Sequence, residues 1–428
     1  MSSKKQVIIT NVRLGRLVHG GQALGETAEG KKIFIWGGLP GELVDVRVTK
    51  KKSSYLEGIV TEVHEPGPDR IEPLEPLSYL STSPWQIVNF AAENKAKQSI
   101  LQETFQREGL ESVEWGDFVG GDQEYGYRNK VEFGFWGDDD GLHLAHYVRG
   151  THGKQIITAN ALADDRINQV AAVFINNLDE YAKETGLRAG DLKTVVFRSS
   201  QGSEVVAALF VKKQPEFDFT DFKVPEGLKG LDIYYSNPKS PASVPTEKIY
   251  SSGDITLTDS IMDTNITYDV LSFFQVNVPV FERALQKVLQ GINGKSVIDF
   301  YSGVGTIGIP IGASVLVESD ATNVAMAKHN IGDRNIKVIE ASSQSAGEYI
   351  NDRDALIVDP PRAGLHKDVI ARILEAKPPK VVYLSCNPST QARDVALLTE
   401  VYKIQAAQGY NFFPRTPHIE SLIVLQLK

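Results

Sequence analysis

Val381-Val382-Tyr383-Leu384-Ser385-Cys386-Asn387-Pro388 decides how the last third of this chain is read. An apolar, β-branched run has the residue types of a buried strand. It stops abruptly in Ser-Cys-Asn-Pro before a helix-like segment from Ser389. Strand, turn and helix in that order form the repeating unit of a parallel α/β sheet, which presents its chemistry beyond the carboxyl ends of its strands. Pro388 forces the backbone out of strand geometry, so Cys386 is held on a turn. It is the only cysteine in the protein. On this stretch alone two readings stay open: a small buried hydrophobe, as most free cysteines are, or a nucleophile.

Upstream, apolar strand-like runs recur at 296–300, 314–317 and 355–358, joining 380–384 in series with helix-length segments between them. The alternation predicts right-handed crossovers and a parallel sheet. Two further strand candidates, 402–408 and 422–427, lie too close together for a helical crossover and are expected to close the sheet as an antiparallel edge. A helix precedes the first strand. Phe281, Ala284, Leu285 and Val288 recur at helical spacing, Asn277 is placed to cap the start, and Gly291 to follow the end.

The first run ends in Asp299-Phe300-Tyr301-Ser302-Gly303-Val304-Gly305-Thr306, whose glycines let the backbone approach a ligand at the strand-to-helix turn. The second ends at Glu318, about twenty residues on, a spacing that suits a carboxylate accepting hydrogen bonds from ribose hydroxyls. An adenosine-containing cofactor is favoured. The third glycine of the dinucleotide fingerprint is missing, because Gly308 falls at the wrong interval, so a nicotinamide cofactor is disfavoured. The third run ends in Asp359-Pro360-Pro361-Arg362, where two prolines fix a rigid turn and aim the Asp359 carboxylate into the crevice.

The 428 residues suffice for two or three domains with real cores, and they carry a net charge of −9. One cysteine excludes internal disulfides, a multi-thiolate zinc site and an iron–sulfur cluster held by this chain's cysteines. No apolar run approaches the length of a membrane span and the start lacks a signal-peptide core; a cytoplasmic location is expected. The charge is unevenly spread. Residues 1–60 hold ten basic residues (Lys4, Lys5, Arg13, Arg16, Lys31, Lys32, Arg47, Lys50, Lys51, Lys52) and five acidic ones (Glu26, Glu29, Glu42, Asp45, Glu57), a net +5 that leaves −14 for the rest. A basic module on an acidic body suits a polyanionic partner, although a solvated face has the same composition.

Residues 1–66 read as short strands at 6–10, 32–36, 43–49 and 58–63 between Gly-rich turns, the pattern of a small oligonucleotide-binding type of barrel. The Pro- and acid-rich 65–76 reads as a linker. A helix follows over 91–109, with Ile100, Leu101 and Phe105 inward and Gly109 as its stop. Strands at 127–136 and 142–148 form a hairpin across Asp138-Asp139-Asp140-Gly141. Three adjacent acids invite a metal, but no other ligand cluster accompanies them, so a solvated turn is the reading and no metal site is expected. The remainder to 250, with strands at 204–212 and 231–236, is a mixed α+β middle domain without chemistry of its own. Tyr127-Arg128-Asn129-Lys130 stands out in it as a polar, basic cluster entering a strand.

Gly37-Gly38-Leu39-Pro40-Gly41-Glu42, with Val44-Asp45-Val46 and the basic run Lys50–Lys52, resembles a TRAM domain, a small RNA-binding barrel. Asp359-Pro360-Pro361 resembles the target-base motif of nucleic-acid methyltransferases that use S-adenosylmethionine. Phe274-Gln275-Val276-Asn277, the 299–306 motif, Asp359-Pro-Pro-Arg362, Ser385-Cys386-Asn387-Pro388 and His418-Ile419-Glu420-Ser421 occur in the order seen in RNA uracil-C5 methyltransferases. The resemblance covers most of the chain. It implies a TRAM barrel (1–66), a mixed middle domain (67–250) whose 91–109 helix packs on the catalytic domain, and a Rossmann-like methyltransferase domain (251–428). It also implies S-adenosylmethionine bound by Gln275, Tyr301, Thr306, Glu318 and Asp359, Cys386 as nucleophile and Glu420 as general base. One departure is clear. Many relatives hold a four-cysteine iron–sulfur cluster in the first half, whereas Leu80-Ser81-Thr82-Ser83-Pro84-Trp85-Gln86 occupies one such stretch without a cysteine. No cluster is expected, and direct packing must replace it.

The implied chemistry suits these residue types. Uracil C5 is too weak a nucleophile to take a methyl group unaided, whereas thiolate addition at C6 makes C5 enolate-like, and a base must then remove the C5 proton. An ordinary thiol needs about 2 kcal/mol to become mostly thiolate at neutral pH. Hydrogen bonds from the Asn387 region and the N-terminus of the following helix are expected to supply part of it; His418 is expected to be structural. The base must leave its stack, so a single-stranded RNA loop is the expected partner, in 23S ribosomal RNA or in the T-loop of tRNA. Rivals are an amino-group methyltransferase, which needs no thiol, and an RNA-binding or RNA-folding protein without turnover.

Overall fold

Alternating apolar residues close the first five strands on themselves. In the computed structural model, which describes residues 6–151, 153–213, 217–240, 242–292, 294 and 296–428, β1 (Ile8–Leu17), β2 (Ala23–Glu26), β3 (Lys32–Trp36), β4 (Leu43–Lys51) and β5 (Tyr55–Glu65) form a closed barrel in the order β1-β2-β3-β5-β4. Lys4 and Lys5 lie outside the described residues. Inward-pointing Val12, Leu14, Ile33, Ile35, Val44 and Val46 are at most 2% exposed. The sequence signalled four of the five strands. β2 is Ala-Leu-Gly-Glu, too short and too poor in β-branched residues to announce itself.

The expected linker at 65–76 is instead a packed strap. Two of its charges are tied into the fold: Arg70 pairs with the buried Glu42 through two bonds of 2.5 and 2.7 Å, and the Glu75 carboxylate accepts from Ala161 N and Gln86 Nε2. The cysteine-free stretch follows, opening with the short helix α1 (Tyr79–Thr82). Gln86 Nε2 also donates to Ser83 Oγ at 2.6 Å, and Trp85 Nε1 donates to the barrel carbonyl of Gly21 at 2.9 Å. Ser83, Trp85 and Gln86 are all buried. These bonds pack the cysteine-free stretch directly against the barrel.

Helix α2 (Phe90–Gln106), capped by Asn89 at Ala92 N, packs on the C-terminal domain. Its Leu101 and Phe105 share one core with Val381, Tyr383 and Tyr402. Its buried Lys97 donates to Asn411 Oδ1 and pairs with the equally buried Glu93. The middle sheet comprises β6 (Lys130–Asp138), β7 (Gly141–Tyr147), β8 (Lys154–Ile156), β9 (Leu192–Ser199), β10 (Val205–Val211), β11 (Leu228–Tyr235) and β12 (Glu247–Gly253), ordered β12-β11-β10-β9-β6-β7-β8. Helix α3 (Asp165–Thr185) covers one face, packing Ile167, Phe174 and Leu178 on Phe133, Leu144 and Phe197. In the β6–β7 turn Asp138 Oδ1 accepts from Asp140 N and clasps His143, an ordinary turn as expected.

After the hairpin β13 (Thr256–Ile261) and β14 (Thr264–Asp269) comes α4 (Val278–Ile292). It runs on through Gly291, whose carbonyl accepts from the buried Lys380 Nζ. Asn277 stands at its start, its carbonyl accepting from Phe281 N and its side chain donating to Phe412 O. Then follow β15 (Val297–Phe300), β16 (Val315–Glu318), α5 (Ala321–Ile331), β17 (Lys337–Glu340), β18 (Ala355–Val358), α6 (Lys367–Ala376), β19 (Lys380–Ser385), α7 (Pro388–Leu398), β20 (Tyr402–Tyr410) and β21 (Glu420–Leu427). The sheet order is β17-β16-β15-β18-β19-β21-β20, parallel through β19 and antiparallel at β21 and β20. The sequence missed β17, a four-residue edge strand with charged ends. Among the described residues no helix is long and apolar enough to cross a membrane.

Candidate active site

Strand β21 runs antiparallel to β19 and starts where β19 ends. Ser385 pairs with Ser421, so the next residue outward on each strand, Cys386 and Glu420, meet at the sheet's rim. Glu420 is only 5% exposed. Asp359 arrives beside them from the end of the neighbouring β18. Burial pushes the Cys386 thiol up to about 11, and the Glu420 and Asp359 carboxylates add to that. Burial likewise lifts Asp359 to about 7 and holds Glu420 well above the usual carboxylate range, with Asp359 raising Glu420 further. Arg362 is the cation that opposes these shifts at both Cys386 and Glu420.

The expected activation of the thiol by Asn387 is therefore corrected. Its side chain is already committed: Oδ1 accepts from Ser389 N at the start of α7, and Nδ2 donates to Arg362 O at 2.8 Å. Its backbone N–H goes to Ser385 Oγ. The group that does lower the thiol is Arg362, part of the Asp-Pro-Pro-Arg motif but given no role from the sequence. Its one signal there was being the sole base beside an acidic turn. His418 behaves as a structural residue. Burial first, then Arg362, lowers it to about 4, and its Nδ1 lies 3.4 Å from the Arg362 guanidinium.

On the other side of β15, Tyr301 adopts the left-handed region (φ 65°), rare for a residue with a Cβ and a mark of a constrained turn. Gly305 (φ 91°) must be glycine, since a Cβ there would come within 2.3 Å of Ile309 Cδ1. Gly308 serves the core instead of a ligand, its N–H donating to the fully buried Asp299 carboxylate at 2.8 Å. Glu318 Oε2 accepts from Gly303 N, and Oε1 from Ser319 N and Asp320 N. A cleft of about 620 Å³ opens here, lined by Tyr301, Val317, Glu318, Ser343, Gln344 and Leu365 among others. Ser343 and Gln344 follow the unsignalled β17, so the sequence carried no mark of them. Gln275 and Thr306, both buried, and Asp359 lie outside this wall.

The cleft fits an adenosine-containing ligand. Glu318 Oε2, which among the described residues accepts only from Gly303 N, keeps one acceptor site for a hydroxyl, and Val317 and Leu365 offer apolar wall. The loop bearing Gln275 is held from the middle domain. Asn129 Nδ2 donates to Gln275 O at 3.0 Å. The fully buried Arg198 donates to the carbonyls of Asp269, Ser272 and Phe274. The 127–130 cluster thus serves this loop, while Arg128 stacks over Phe413, 5.7 Å from its ring centroid.

The barrel's charge is partly spent internally. Arg13 pairs with Glu65, Arg16 with Glu103, Lys32 with Glu26 and Lys50 with Glu57. Asp45, Glu62 and His64 bring potential ligand atoms within 4.8 Å of one another on the barrel surface, a grouping not signalled by the sequence and without a second mark of a metal site.

Comparison with known proteins matches residues 89–354 and 349–428 to the family described as tRNA (uracil-5-)-methyltransferase and residues 4–61 to the TRAM domain. An uncharacterized RNA methyltransferase of Thermotoga maritima is 28% identical over 441 residues, covering 98% of this chain and 99% of that one. One from Nitratidesulfovibrio vulgaris is also 28% identical, over 98% of this chain and 96% of that one. Among solved structures, the Pyrococcus abyssi tRNA (uracil-54, C5)-methyltransferase in complex with S-adenosyl-L-homocysteine superposes with a TM-score of 0.77 at 24% identity, over 98% of this chain and all of that one.

Proposed function

The chain belongs to the tRNA (uracil-5-)-methyltransferase family and is an RNA (uracil-C5) methyltransferase dependent on S-adenosylmethionine; from that premise we propose that Cys386 is its nucleophile, Glu420 its base, and a looped uridine of 23S ribosomal RNA its target. The observation that carries the residue roles is the β19–β21 register, which sets the only cysteine beside a buried carboxylate. Tyr301 and Glu318 would hold the nucleoside part of S-adenosylmethionine, with Gln275, Thr306 and Asp359 on the reacting side. When bound, that group supplies an electrophilic methyl.

In the resting site the thiol keeps its proton. With uracil in place, Cys386 Sγ loses that proton to solvent and bonds to C6 as thiolate, and the electron pair of the 5,6 double bond moves toward C5 and the O4 carbonyl. Once C5 carries the methyl, Glu420 accepts the C5 proton. The pair left behind re-forms the double bond and expels Cys386 as thiolate. A base held well above the usual carboxylate range is a stronger proton acceptor when ionised, which suits this last step. Arg362 supplies the positive charge near the developing thiolate.

Ribosomal RNA is the first reading, with the fused TRAM barrel as an RNA-binding module. A second reading, the tRNA T-loop, is favoured by the Pyrococcus enzyme named for uracil-54, whose architecture runs the length of this chain. Nucleoside mass spectrometry on a deletion strain, with 5-methyluridine mapped separately in each RNA pool, tests both. Loss in large-subunit ribosomal RNA is expected, loss in tRNA alone would replace the target, and loss in neither would sink the assignment.

A further inference from the structure

The face of the middle sheet opposite α3 is covered at one end and bare at the other. Toward β10 and β11 it carries Val206, Ala208, Phe210 and Tyr234, buried against the β13–β14 hairpin and α4. Toward β8 its large side chains are exposed. The register places Trp136 beside His143, Ala145 beside Ile156 and Tyr147 beside Lys154, all on this one face because side chains alternate along a strand. Tyr147 is 67% exposed, Trp136 43% and Ile156 37%. Large apolar side chains clustered so on a sheet face mark a binding surface more often than chance.

Cations border the rings. Lys154 Nζ sits 5.0 Å from the Tyr147 ring centroid, and Arg149, two residues beyond Tyr147, stacks at 4.0 Å on the barrel residue Trp36. Two acids share the face: Glu132, which accepts from Ser243 Oγ at 2.8 Å, and Asp138, which holds His143 at 2.9 Å at the far end of β6. The face is also continuous with the active site. β6 begins at Lys130, directly after Asn129, which holds Gln275, and Lys130 Nζ reaches the Leu271 carbonyl of the same loop. Phe273 projects from that loop at 65% exposure.

We propose that the bare face of β6, β7 and β8 is a stacking platform for the single-stranded RNA flanking the target uridine, with Tyr147 and Trp136 under bases and Lys154 and Arg149 beside the backbone. It rests on the uridine-methylating reading above. Flat rings bordered by cations on an open sheet are a recurrent way of gripping unpaired nucleotides, whose bases must stack on something once unpaired. The platform joins the barrel, through the Arg149–Trp36 stack, to the loop that carries Gln275.

Fluorescein-labelled U12 binding to the full-length protein tests it by anisotropy at fixed salt. Tyr147→Ala should weaken binding by about five-fold or more, and the double variant with Trp136→Ala by about 25-fold or more. Tyr147→Phe should stay within two-fold, as should Val173→Ala on the opposite, helical side. In the wild-type protein, ultraviolet crosslinking of a 4-thiouridine U12 should map to peptides containing Tyr147 or Trp136. Unchanged U12 binding in the double variant, or crosslinks lying only elsewhere, overturns the platform; so does altered self-association with U12 binding intact, which would assign the face to a protein. The catalytic reading fails separately, if Cys386→Ala makes 5-methyluridine as fast as wild type.

Discussion

The side-chain amide of Asn387 donates to the backbone carbonyl of Arg362 at 2.8 Å, tying the turn that carries the cysteine to the turn that carries Asp359. Thr390 Oγ1 reaches the same carbonyl at 3.2 Å. The same Asn387 caps α7, so one residue sets both a helix start and the spacing of two loops. Asn387→Asp keeps the cap but cannot donate to a carbonyl. It should retain stability within about 1 kcal/mol while its single-turnover rate drops by about ten-fold. Asn387→Ala loses both functions. If the Asp variant turned over at the wild-type rate, the tie would have no catalytic weight.

In the proposed scheme Cys386 and Glu420 act at different steps, so their variants should fail differently. Cys386→Ala should form no RNA–protein adduct. Glu420→Gln can still add the thiol and place the methyl, but it cannot remove the C5 proton, so a denaturing gel should show RNA trapped on the protein. Absence of that band with activity lost would move Glu420 to a step before the adduct resolves.

The resting thiol should be sluggish toward alkylation. With its pKa raised to about 11, only a trace is thiolate at pH 7.5, and the thiolate is the nucleophile. Iodoacetamide labelling, followed by intact mass, should be slower than for a free cysteine and climb steeply toward pH 11. Arg362→Met should slow it further, because that guanidinium lowers the thiol's pKa. Labelling at the free-cysteine rate would show that the carboxylates do not shield it.

Asp359 makes stability depend on pH in a definite direction. Folded, it keeps its proton up to about pH 7; unfolded, it loses it near pH 4 or so. Between those values the folded state binds the extra proton, so stability falls as pH rises. Asp359→Asn removes that slope. Its melting temperature should exceed wild type at pH 8, and the difference should close by pH 4; the opposite ordering at pH 8 would show Asp359 ionised and well paired in the fold.

Arg198 is fully buried and donates to three carbonyls of the 269–274 loop, stacking on Tyr268. Arg198→Met leaves those carbonyls short of donors, a loss of about 3 kcal/mol or more. Because Gln275 follows directly, KM for S-adenosylmethionine should rise more than kcat falls. A variant destabilised with KM unchanged would make Arg198 purely structural.

What the sequence made legible was carried by long apolar runs and by motifs at their ends. The parallel run of β15, β16, β18 and β19 and the antiparallel edge followed from strand length and loop length; the β19–β21 pairing then brought Cys386 to Glu420. What stayed hidden was short or long-range. β2 and β17 are four residues each, below the length at which periodicity speaks. Arg198 and Asn129 meet the Gln275 loop across more than 70 residues of chain, which no local pattern encodes. The reversal at the thiol has the same root: burial and two carboxylates from other strands decide its proton, and residues next to it in sequence do not.

The strap between Arg70 and Gln86 is fastened by amides, carboxylates and one indole. None of these bonds has a redox couple. A fold pinned at that place by iron and thiolates would tie its own maturation to iron supply and would loosen under peroxide. The proposed site separates the two liabilities: peroxide that oxidised Cys386 would stop the proposed chemistry, yet the melting temperature should stay where it was. Cells starved of iron should accumulate this protein to the same level as fed ones.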